Sequence, residues 1–105
     1  MHRTLIVARL QPGHADRVAE VFGESDRTEL PHLLGVRSRS LFTFHDLYFH
    51  LIDSDQDLGP GLARHRDHPL FTEVSDRLAA HISAYDPGWR GPADAMATEF
   101  YRWRR

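Results

Sequence analysis

Apolar residues follow two periods along this chain, and the changes of period divide it into elements. Residues 4–10 (TLIVARL) are aliphatic and β-branched and stop at Gln11-Pro12-Gly13, which predicts a strand closed by a turn. Ala15, Val18, Ala19, Val21 and Phe22 then recur at helical spacing, predicting a helix over about 13–24. Pro31 lacks an N–H and restrains its neighbour, so 26–30 read as a loop or a short broken turn. From Val36 to Phe44 the pattern is extended. Val36, Ser38, Ser40, Phe42 and Phe44 share one face, and Arg37, Arg39, Leu41 and Thr43 the other.

A second extended run, Leu47 to Ile52, follows at once. With His45-Asp46 as a two-residue turn, Phe44 pairs with Leu47, Leu41 with His50 and Arg39 with Ile52. Arg39 and His50 then become diagonal neighbours on one face, roughly 7–8 Å apart at Cα. Residues 53–61 (DSDQDLGPG) read as a polar connection. Leu70, Val74, Leu78 and Ile82 predict a second helix over 67–83, with Asp67 as its N-cap and Pro69 in its first turn. Alternation at 97–103 predicts a fourth strand. The order βαββαβ implies an α+β, ferredoxin-like fold: a four-stranded antiparallel sheet with two helices on one face. The uncovered face makes a homodimer the default expectation.

Composition narrows the function. At 105 residues, residues 1–105 form one domain, because half that length would not bury a core unaided. Thirteen Lys+Arg stand against fifteen Asp+Glu, so no basic stripe announces nucleic acid. The apolar run Leu5–Ala8 is too short for a signal-peptide core or a membrane span, which predicts a cytoplasmic protein with no membrane partner. The absence of cysteine removes disulfides, thiolate nucleophiles and Cys-based zinc sites.

Eight histidines invite a metal reading, which spacing does not support. His65 and His68 lie three apart with no third ligand at a helical interval, and His45 and His50 differ by an odd number in extended structure. No metal is therefore expected. Gly59-Pro60-Gly61 has no phosphate-loop context, and Ser25 no nucleophile-elbow context. More informative is polar chemistry inside apolar strands: Arg39 within the second strand, and His50 within LYFHLI. Asp26 follows the first helix in a segment able to close over the same face.

The strings ESDRTELPHLLGVRSRSLFTFHDLYFHLI, HPLF and EFYRW resemble the tetracenomycin F2 cyclase family of aromatic polyketide cyclases, over residues 3–103. The core of that resemblance is TELP at 28–31 with FHDLY-x-HL at 44–51. It implies a dimeric protein of α/β-barrel type that needs no metal or cofactor and guides aldol-type ring closure of a partly cyclised polyketide, in transient contact with a type II polyketide synthase. It also implies catalytic roles for Asp26, Arg39 and His50. At position 25 a family member is expected to carry His where this chain has Ser25, which puts a role for that imidazole in question. Phe42, Phe49, Tyr101 and Trp103, with Phe44 and Tyr48 beside them, are the aromatic candidates to line a cleft for planar rings. Two other functions fit the same pattern: a cofactor-free anthrone-type monooxygenase, and a non-catalytic polyketide-binding subunit.

Overall fold

The computed structural model describes residues 1–105. Strand β1 (His2–Leu10) leads into helix α1 (Ala15–Ser25), and a short helix α2 (Leu30–Leu34) precedes the hairpin β2 (Val36–Phe44) and β3 (Leu47–Ser54). Helices α3 (Leu58–His65) and α4 (Pro69–Leu78) follow, then a two-residue β4 (Ile82–Ser83). The antiparallel sheet runs β2-β3-β1-β4, the ferredoxin-like order expected from the pattern. No helix is long and apolar enough to cross a membrane.

The hairpin register is the predicted one, with Phe44 opposite Leu47, Leu41 opposite His50 and Arg39 opposite Ile52. His45 takes the positive φ of 56° that so tight a turn requires. The other end of β2 differs from expectation. A bulge at Arg37 places two residues of β2 against one of β3, so Val36 pairs with Ser54 and Ser38 with Asp53. The extra residue breaks the alternation. Val36 therefore joins Arg39 against the helices, while Arg37 turns outward to an ion pair with Asp55.

Four helices form where two were expected. In α3, Gly-Pro-Gly occupies the first turn, where backbone N–H groups lack helical acceptors anyway, and the Asp57 side chain accepts from the Gly59 N–H at 3.1 Å. In α2, Pro31 sits in the first turn, and Gly35 ends the helix at φ 71°, a left-handed conformation costly for other residues. Helix α4 is shorter than 67–83. Its cap is His68, whose Nδ1 accepts from the Leu70 N–H at 3.1 Å, in place of Asp67.

The strand expected at 97–103 is not formed. The free edge of β1 is shared instead: β4 pairs with Arg9 and Leu10, and further along Met96 bridges Ile6 while the Ala97 N–H donates to the Leu5 carbonyl at 2.8 Å. Beyond that bridge the alternating residues have no strand partner in the chain, leaving Phe100 and Tyr101 96% and 75% exposed.

Apolar side chains of α1 meet the sheet in one small cluster around Val18, Phe22 and Tyr48, and α1, α2 and α4 meet one another in a second around Val21, Leu30 and Val74. Between the helices and the sheet lies a cavity.

Candidate functional site

The cavity has a volume of about 630 Å³, within the range of small-molecule sites. Its floor is the helix-facing side of the sheet: Ile6 and Ala8 from β1, Tyr48, His50 and Ile52 from β3, Val36 and Arg39 from β2. All four helices wall it, through Phe22, Leu34, Leu62 and Phe71 among others, and Gly91 and Pro92 complete the lining. Fifteen of its 21 lining residues are hydrophobic, so its few polar groups dominate what it can do.

Two of those groups, Arg39 and His50, meet. Arg39 Nε donates to both carboxylate oxygens of Asp26 at 3.1 Å, and Nη2 lies 2.9 Å from Asp26 Oδ1. Nη1 lies 3.0 Å from His50 Nε2. The guanidinium also stacks over Phe22, 4.7 Å from the ring centre, and Phe22 meets the His50 ring edge to face at 5.0 Å. Only 15% of the Arg39 side chain is exposed, and an unpaired cation at that depth would cost several kcal/mol. Asp26 and Phe22 make it tolerable. The register places Arg39 and His50 together, and the end of α1 delivers Asp26 to them.

A guanidinium only donates, so the His50 Nε2 facing it must hold a lone pair, and the proton of the neutral ring sits on Nδ1. Neutrality follows from position. His50 is 5% exposed, and burial, reinforced by the Arg39 charge, lowers its pKa from 6.5 to about 3. A histidine so buried stays neutral at neutral pH. The His50 Nδ1 has no hydrogen-bond partner in the protein, yet no buried side-chain nitrogen or oxygen lacks one, so Nδ1 opens onto accessible space. Asp26 does not line the cavity and acts on it through Arg39.

The aromatic candidates divide by strand parity. Phe42, Phe44 and Phe49 alternate with the cavity residues and therefore occupy the opposite, helix-free side of the sheet. Tyr101 and Trp103 belong to the C-terminal segment, which lies against Leu5 and Leu51 on that same side. Thus Phe42, Phe49, Tyr101 and Trp103 do not line the cavity of this chain. Of the six aromatics considered, only Tyr48 does. Residues missed in the sequence are Phe22 and Phe71, which read as ordinary core, and Leu58 and Leu62, hidden in a helix obscured by its Gly-Pro-Gly. Ser25 does line the cavity. No three His, Asp or Glu side chains gather in a way that could hold a metal ion.

Residues 2–104 match the family model described as polyketide synthesis cyclase. An uncharacterised protein of Streptomyces coelicolor is 60% identical over 100% of this chain and 96% of its own length. The polyketide synthase CurG of Streptomyces cyaneus is 48% identical, covering 100% and 99%. Tetracenomycin F2 cyclase of Streptomyces glaucescens is 46% identical over 97% of this chain and 94% of its own. The solved structure of that type-II polyketide cyclase covers 100% of this chain and 99% of its own, with a TM-score of 0.93 and 45% identity.

Proposed function

The chain belongs to the polyketide synthesis cyclase family and is a polyketide cyclase; from that premise we propose that its cavity closes rings on a poly-β-ketone or partly cyclised polyketide by aldol condensation and dehydration, with His50, Arg39 and Asp26 as the working site. The observation that carries this reading is an apolar chamber whose polar end is the Asp26–Arg39–His50 trio.

A methylene between two ketones is acidic and largely enolised, so closure needs little base and much control of shape. The apolar walls fold the chain so that the enol carbon faces a ketone. As the carbon–carbon bond forms, the ketone π bond opens and its oxygen gathers negative charge, while the enol O–H gives its proton to water as its carbon becomes a ketone. The alkoxide then takes a proton from water; in the dehydration that follows, the hydroxyl and a neighbouring C–H proton leave as water. His50 donates to the charged ketone oxygen through Nδ1–H, and the terminal nitrogens of Arg39 add a positive charge beside it. Asp26 is a positioning residue: it holds the guanidinium, which in turn fixes the imidazole tautomer.

The test is turnover of a poly-β-ketone generated in place by a minimal synthase, under nitrogen and with EDTA. We expect one cyclised product to dominate over the shunt products of spontaneous closure. A requirement for dioxygen would favour a monooxygenase, and loss of turnover restored by a divalent ion would overturn the metal-free reading. A product ratio equal to the background would leave only a binding subunit.

The homodimer also belongs to this proposal. Phe42 and Phe44 are 55% and 64% exposed on the helix-free face, and Trp103 of the adjoining C-terminal segment is 68% exposed. A second copy covering that face accounts for side chains that do not serve the cavity. Light scattering at micromolar concentration should return twice the mass of one chain; the mass of a single chain would refute the pairing.

A further inference from the structure

We propose that the Tyr48 hydroxyl is a second donor in the cavity and a catalytic residue, holding the same substrate oxygen as His50. This rests on the reading of the cavity as the cyclisation chamber. Tyr48 and His50 are two residues apart on β3, hence on one face, with ring centres 6.0 Å apart. The Tyr48 ring is fixed among Ala8, Val18 and Phe22, and the residue is only 5% exposed. Its hydroxyl makes no hydrogen bond within the protein, and since no buried polar side-chain atom lacks a partner, it too must reach accessible space. Tyr48 lines the cavity, which offers that space.

For packing alone, phenylalanine would serve the cluster at least as well, because a phenol in an apolar wall gains nothing until an oxygen meets it. The hydroxyl thus stands ready for a ligand acceptor. Burial holds its pKa above the ordinary phenol range despite the nearby Arg39, so it remains protonated and can only donate to a developing anion. Two neutral donors from alternate residues of one strand, with Arg39 behind them, describe a site for a ketone oxygen that becomes an alkoxide. They do not describe a site for a carboxylate, since Asp26 already balances the Arg39 charge.

Tyr48→Phe tests this without changing the shape of the wall. A hydroxyanthraquinone serves as the probe, its carbonyl stretch read by infrared difference spectroscopy, and cyclisation is followed in parallel. We expect the bound carbonyl band of the variant to move toward the non-hydrogen-bonded frequency. Its kcat should fall roughly ten- to hundredfold, the loss of one hydrogen bond to a charged oxygen, with KM changed far less. An unchanged band with parental kcat overturns the proposal, and a shifted band with parental kcat overturns the catalytic role. If the parent protein shows no cyclisation at all, the chamber reading fails, while the carbonyl band still decides whether Tyr48 donates.

Discussion

Replacing His50 with alanine is expected to slow ring closure by about 10²–10³, the usual loss when a donor to a developing oxyanion is removed. Affinity for a polyphenol should fall much less. The walls that hold planar rings are apolar and distributed over four helices, so they survive the substitution. Shunt products of spontaneous closure should rise, which makes the product ratio as diagnostic as the rate. The pH profile separates this role from ordinary acid–base catalysis. With its pKa lowered to about 3 by burial and Arg39, His50 stays neutral from pH 5 upward, and the rate should show no limb near 6.5 attributable to it. A limb near 6.5 that vanishes in His50→Gln, or a His50→Ala variant with parental rate and product ratio, would sink the assignment.

The same histidine should make the fold acid-labile. Below its ordinary pKa of about 6.5 the unfolded chain takes up a proton at this position, whereas the folded chain refuses it until about pH 3. The folded pKa is depressed, so the stabilisation is present above 6.5 and is lost as pH falls toward 3. Between pH 7 and pH 4.5 the loss is on the order of a few kcal/mol, a large share of the stability of a small domain. Urea titrations of parent and His50→Gln at both pH values isolate the contribution from that of the other histidines and carboxylates. The parent should lose more stability than the variant over that interval, by a few kcal/mol. Equal losses would mean that His50 is accessible to protons in the folded protein.

The pairing of Arg39 with His50 was legible in the sequence because a two-residue turn fixes a hairpin register, and register alone decides which side chains are neighbours. Asp26 was less legible: its place depends on where α1 ends, and helix ends are weakly encoded. The aromatic lining was misplaced for a different reason. Phe42 and Phe49 lie on strands beside cavity residues, but strand parity alone does not say which face the helices cover. Helices α2 and α3 escaped notice because Pro31 and Gly59-Pro60-Gly61 read as breakers, although both fall in first turns, where a missing or unbonded N–H costs little. At the C-terminal segment, alternation was visible but its partner was not. A period-two pattern reports a wish to pair, not with what.

The cavity has one more consequence, for how such a protein can change over generations. In a filled core every methylene presses on another, and trimming one leaves a void that weakens the fold. Here Leu62, Phe71 and Val36 face an existing space of about 630 Å³, so shortening them extends a void already present and costs mainly the lost contact of the removed atoms. The sheet and its hairpin hold the donors in place meanwhile. On the proposed reading of the cavity, its walls are free to be recut by single substitutions to suit polyketides of other lengths and ring patterns, while the strand that carries Tyr48 and His50 is left as it is.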